Sequence, residues 1–70
     1  MKYVVLFEHS DTSWSAYVPD LPGCIAAGET KAETERLIQE AIEFHIEGMR
    51  LDGEPVPPAT TEVEYVSISA

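Results

Sequence analysis

One cysteine, four basic residues and two histidines are all that this chain contains of those types, and each shortage closes off a class of structure. A single thiol, Cys24, cannot close an internal disulfide, and no Cys/His cluster stands at zinc spacing. Four lysines and arginines against thirteen acidic residues leave a net charge of −9. That charge repels phosphate backbones and argues against nucleic acid as a direct ligand. A basic protein is the better match, although acidic surfaces also serve simply to keep small proteins soluble. No apolar run nears the roughly 20 residues of a membrane span. Lys2 is followed by only five apolar residues before Glu8, so no signal peptide is read. A free cysteine without a targeting segment points to the cytoplasm.

Length adds a further limit. Seventy residues leave no room for a second core, so residues 1–70 are read as one domain. A chain this short buries only about 60% of its unfolded surface, and such a core supplies roughly 3–5 kcal/mol. With disulfide and metal set aside, oligomerisation is the remaining support. A homo-oligomer is expected, a dimer first.

What is present is an alternation of short β-prone runs and one long amphipathic stretch. Tyr3 to Phe7 is a continuous β-branched and aromatic run, which predicts a strand buried on both sides. Glu8 to Ser13 is polar and turn-like. Trp14 to Val18 alternates, with Trp14, Ala16 and Val18 on one face and Ser15 and Tyr17 on the other, so an antiparallel hairpin is expected. Cys24 to Ala27 is long enough for a short third strand. Lys31 to Leu51 is predicted as the one helix, with Leu37, Ile38, Ala41, Ile42, His45, Ile46 and Met49 forming its apolar stripe. Thr30 and Glu33 fit a capping box at its start. Asp52-Gly53 and Pro55 supply its stop. Gly48 weakens the last turns and marks either a close backbone contact or an early end. Pro55 to Pro58 is an extended connector, and Glu62 to Ile68 is predicted as a fourth strand. The order is β-β-β-α-β, an α+β fold with a four-stranded, mostly antiparallel sheet and one helix on one face. A crossover through the helix would make the last strand parallel to a neighbour and right-handed. The bare sheet face would then need a second subunit or a partner.

The densest signal is Pro19-Asp20-Leu21-Pro22-Gly23-Cys24, with Gly28 and Thr30 close behind. Its prolines fix φ and remove two backbone donors, so no regular ladder continues through it. Gly23 and Gly28 mark positive φ or close approach. By themselves these residues describe a junction of strand, turn, strand and helix.

The same residues carry a resemblance. Trp14-x-Ala16-x-Val18 running into that motif, then Gly28-x-Thr30, Glu40-Ala41-Ile42 and Asp52-Gly53-Glu54-Pro55-Val56-Pro57, resembles the HicB family of antitoxins over roughly Tyr3 to Pro58. The resemblance implies the HicB N-terminal domain standing alone, a partial RNase H-like scaffold without the C-terminal DNA-binding domain of many relatives. It also implies a HicA-like toxin as partner, a small basic ribonuclease of double-stranded-RNA-binding-domain fold with a histidine in its active site. The antitoxin would act by occlusion and not as an enzyme. The alternatives are an orphan oligomeric scaffold or ligand-binding domain, and a small enzyme using Cys24 or the carboxylates.

Candidate chemistry weighs against that last alternative. Cys24 sits in a short apolar strand, the usual setting of a buried small hydrophobe, and no Asn or Asp is placed to orient His9 or His45 beside it. His45 lies on the apolar side of the helix without a metal-binding partner at i+4, and His9 belongs to a polar loop. Enzymes of the RNase H fold hold two metals with clustered carboxylates. Here Glu40, Glu62 and Glu64 have no acidic partner within Tyr3–Phe7. No catalytic residue, metal site or cofactor is therefore expected. Glu40, Glu43 and Glu47, with Glu33, form an acidic helix face. That face is either simply solvated or the contact for a basic partner, which would relieve the repulsion between Glu43 and Glu47.

Overall fold

The computed structural model describes residues 1–69. Three short strands, β1 (Leu6–His9), β2 (Trp14–Tyr17) and β3 (Ile25–Gly28), precede one helix, α1 (Lys31–Leu51). The strands form one antiparallel sheet in the order β1-β2-β3. Phe7, Ala16 and Ala26 lie in one row across it, and Leu6, Tyr17 and Ile25 in the next. Successive rows face opposite sides. The first row looks toward the helix and includes buried Ala16, while Tyr17 and Ile25 of the second are exposed. The helix packs chiefly on β3 and β2. Ala16, Val18, Leu21, Cys24 and Ile38 make the buried core, with Tyr3, Val5, Phe7, Ile42 and Ile46 packed against it.

The first strand starts later than its apolar run suggests. Continuing the observed register would set Val4 opposite Pro19, a residue with no amide to donate. The ladder therefore ends at Leu6 and Tyr17. At its other end the strand runs on through Glu8 and His9, because the turn needs only four residues. The Ser10 amide donates to the Ser13 carbonyl at 2.9 Å, and the paired His9 and Trp14 rings stack with centroids 4.3 Å apart.

The helix is placed where the sequence puts it. The Thr30 hydroxyl accepts from the Glu33 amide at 3.1 Å. At the far end Gly53 takes φ of 71°. The Glu54 amide reaches the Met49 carbonyl at 2.8 Å and the Gly53 amide reaches that of Arg50 at 3.2 Å, the pair of bonds that closes a Schellman ending. Helix and strand approach closely at Gly28, where an added Cβ would stand 2.7 Å from the Thr34 hydroxyl. Thr34 is fully buried, with that hydroxyl donating to the Thr30 carbonyl at 2.8 Å. Gly48 marks neither a close contact nor an early end: an added Cβ would meet nothing there, and the helix continues to Leu51.

The fourth strand is a correction. Residues 62–69 belong to no strand of the described chain, and the sheet has three strands, not four. The cause lies just upstream. The Tyr3 hydroxyl donates to the Pro57 carbonyl at 2.6 Å, and Thr60 and Thr61 are held by Asp20 beyond the end of β2. These tethers hold the connector as far as Thr61, and residues 62–69 beyond it join no ladder among the described residues.

Candidate protein-binding surfaces

The motif Pro19-Asp20-Leu21-Pro22-Gly23-Cys24 folds as two successive turns. The Leu21 amide donates to the Val18 carbonyl at 3.1 Å and the Cys24 amide to that of Leu21 at 3.0 Å, while the Val18 amide closes the loop on the Cys24 carbonyl at 3.2 Å. Pro22 followed by Gly23 at φ 85° fits a type II turn, whose third residue must be left-handed. The loop drives Leu21 wholly into the core between Val18 and Cys24. Asp20 points the other way, and its carboxylate accepts four hydrogen bonds from Thr60 and Thr61 at 2.7 to 3.2 Å. Those bonds, the Thr61 amide first, lower the Asp20 pKa below the ordinary aspartate value. Gly28 and Thr30, the motif's remaining members, seat and cap the helix.

Glu40, Glu43 and Glu47 are all exposed on α1. Glu40 pairs with Arg36 at 3.4 Å, and Glu43 accepts from the Gln39 side-chain amide at 3.4 Å. Spacings of three, four and seven residues bring these carboxylates together along the outer side of the helix. The same side carries Phe44, 80% exposed, and Leu51, 81% exposed. The sequence pattern had singled out only the acids. An aromatic four residues beyond Glu40 and three before Glu47, off the apolar stripe, was the available signal. This ridge sets two exposed apolar side chains among acidic ones.

A second surface is the sheet face turned away from the helix. Ile25 is 69% exposed there, beside Tyr17, and Pro19, Pro22 and Gly23 border a shallow apolar groove of about 590 Å³. Pro22 borders this groove and also a shallow depression that includes Phe44 of the helix.

The chemical candidates are dispersed. Cys24 is buried, and burial pushes its thiol pKa up, toward the unreactive protonated form. His9 is occupied by the stack on Trp14. His45 is half-buried on the helix. The shift of β1 brings Glu8 onto that strand, beyond the Tyr3–Phe7 span read from the sequence. Its register partner is Ser15, on the face opposite the helix, so Glu8 and Glu40 lie on opposite sides of the sheet. Among the described residues no three His, Cys, Asp or Glu side chains converge on a metal-sized site, and no helix is long and apolar enough to cross a membrane.

Comparison with known proteins agrees with this architecture. Residues 3–69 match the HicB_like antitoxin of bacterial toxin-antitoxin systems. Over 67 residues the chain is 39% identical to an uncharacterised 14.9 kDa protein of the rep-hol intergenic region of Haemophilus phage HP1, covering 96% of this chain and 50% of that protein. It is 32% identical to Antitoxin HicB 2 of Photorhabdus laumondii, covering 100% of this chain and 51% of that antitoxin. The chain thus spans about half the length of these relatives. A chain of the HicA3 and HicB3 toxin-antitoxin complex superposes with a TM-score of 0.72 at 32% identity, covering 84% of this chain and 70% of that one. A family match from residue 3 to residue 69, across all three strands and the helix, makes this chain a member of the HicB-like antitoxin family.

Proposed function

We propose that residues 1–70 form a HicB-type binding domain that neutralises a small, basic, HicA-like ribonuclease by covering its RNA-binding surface and catalytic histidine. The observation that carries this reading is the likeness, over most of the chain, to a chain of a toxin-antitoxin complex. The charge of −9 supports it, because an acidic domain competes with RNA for a basic surface and meets it rapidly by electrostatic steering. The ridge of Glu40, Glu43 and Glu47 around Phe44 is the contact the geometry favours. A desolvated aromatic gives affinity, and exposed acids give speed and orientation. On this reading the domain does no chemistry. Its partial RNase H-like scaffold contributes shape.

The test is co-purification of the full chain with a HicA-like protein encoded beside it, followed by an RNA-cleavage assay. A stable complex with cleavage suppressed in proportion to the bound antitoxin is expected. Failure to bind any such neighbour, with both proteins folded, would move the reading to an orphan scaffold. Cleavage that continues within the complex would remove occlusion as the mechanism.

A further inference from the structure

Residues 62–69 are composed like a strand, yet they join no ladder among the described residues of their own chain. Val63 and Tyr65 fall on one face of an extended segment and Val66 and Ile68 on the other. Their exposures are 66%, 101%, 75% and 82%. Apolar residues on both faces are the pattern of a strand covered on both sides. Left bare, such a segment is a template for aggregation. The projecting tail and long helix also enlarge the molecule: its radius of gyration is 13.9 Å, against about 11 Å for a compact chain of this length.

The matching vacancy is on the same chain. β1 is an edge strand with one side unpaired, and Val4 and Val5 extend it, half-buried, outside the ladder. Because the helix packs chiefly on β3 and β2, the space between it and the start of the chain stays open. Met1 and Tyr3 on one side, and Ile42, Ile46 and Leu51 on the other, border a groove of about 850 Å³ there, with Glu43 and Glu47 of the acidic ridge on its rim. A strand laid along the free side of β1 would turn one face into this groove. Val63 to Ile68 spans about 20 Å when extended, enough to follow the run from Val4 to His9. In its own chain the tail leaves the Asp20 latch at Thr61 and joins no ladder among the described residues.

We propose that residues 62–69 of one copy form the fourth strand on the free β1 edge of a second copy, with the exchange reciprocated. Of the sheet's two outer strands, β1 and β3, β1 is the one whose upstream residues border the open groove, and a closed two-fold pair places the tail and covers the β1 edge of each chain. A foreign partner on either one would leave the other bare. The inference does not depend on the toxin reading.

Sedimentation equilibrium of the full chain, combined with amide hydrogen exchange, tests it. Wild type is expected as a dimer in which the amides of residues 63–68 are protected and lose protection on dilution. Val66→Pro removes a ladder donor from a residue already exposed in the single chain, so folding does not depend on it. It should weaken the dimer by roughly tenfold or more, about 1.4 kcal/mol, with an unchanged far-ultraviolet spectrum. Ile25→Asp, on the bare sheet face, should leave the dimer intact. A folded wild type that stays monomeric overturns the proposal. So does a dimer that Ile25→Asp dissolves and Val66→Pro does not, or protection of residues 63–68 only on addition of a basic partner.

Discussion

Asp20 and Thr61, 41 positions apart, are joined twice: the Thr61 amide donates to Oδ2 at 3.0 Å and its hydroxyl to Oδ1 at 2.7 Å. Thr60 repeats the arrangement through its own amide and hydroxyl. One carboxylate in the first turn of the motif thereby ties down the chain after the helix at Thr60 and Thr61.

The latch is pH-dependent with a definite sign. The hydrogen bonds lower the Asp20 pKa in the fold, so their contribution is fully present above the unfolded value near 3.9. It is lost as pH falls through the lower, folded value. Nuclear magnetic resonance titration of the Thr60 and Thr61 amides should show their shifts constant from neutrality down to the ordinary aspartate range, with the break below it. Asp20→Asn should remove that acid step and speed exchange of both amides at neutral pH. A break at or above the ordinary value would mean that the carboxylate is free in solution.

Three glycines should respond differently to substitution. Gly48 meets nothing within 4 Å of an added Cβ, so Gly48→Ala should stabilise the helix by about 1 kcal/mol. Gly28→Ala should destabilise by about 1–3 kcal/mol, since its Cβ would press on a buried hydroxyl that cannot give way. Thr34→Ala removes that hydroxyl, so the two losses should combine to less than their sum. Gly23→Val forces a β-branched residue to a φ of 85° and should cost about 1 kcal/mol or more. Urea midpoints at constant slope decide all three, and one shared sign would refute the geometry.

These contrasts mark what could be read in advance. The helix, its Thr30 cap, its Gly53 ending and the second and third strands follow from local chemistry, because capping, φ limits and alternation act within a few residues. The family motif was legible as a junction for the same reason. The start of β1 was not, since Pro19 limits it only through pairing with another strand. The Asp20 latch was equally hidden, as nothing local links residue 20 to residues 60 and 61. Glu62 to Ile68 was composed as a strand, but composition does not say which molecule supplies the edge. Thr34 reads as an ordinary helix residue and is buried only because Gly28 lets the sheet approach.

Salt should separate the two associations by sign. Two copies of a chain with charge −9 repel, and salt screens that repulsion. Homodimerisation should therefore tighten as ionic strength rises, while binding to a basic toxin should weaken. Sedimentation of the chain alone and titration of the complex across one salt series give both slopes. Slopes of the same sign would mean that one of the interfaces is not where charge and geometry place it.

The partner-facing ridge makes the sharpest demand on kinetics. Exposed ion pairs contribute little each to final affinity, whereas a single aromatic buried at the centre of an interface can dominate it. Phe44 is 80% exposed among carboxylates that carry much of the local charge. Reversing Glu43 and Glu47 to lysine should slow association with the toxin several-fold and flatten its salt dependence, with a smaller effect on dissociation. Phe44→Ala should do the opposite, leaving association nearly unchanged and speeding dissociation by roughly tenfold or more, about 1.4 kcal/mol. Its exposure means that the fold should tolerate the change, so a weakened complex cannot be blamed on unfolding. Stopped-flow association and displacement measured on both variants separate the two effects. If Phe44→Ala changes neither rate while Ile25→Asp releases the toxin, the contact belongs on the bare sheet face, and the acids on the helix are a solvated surface.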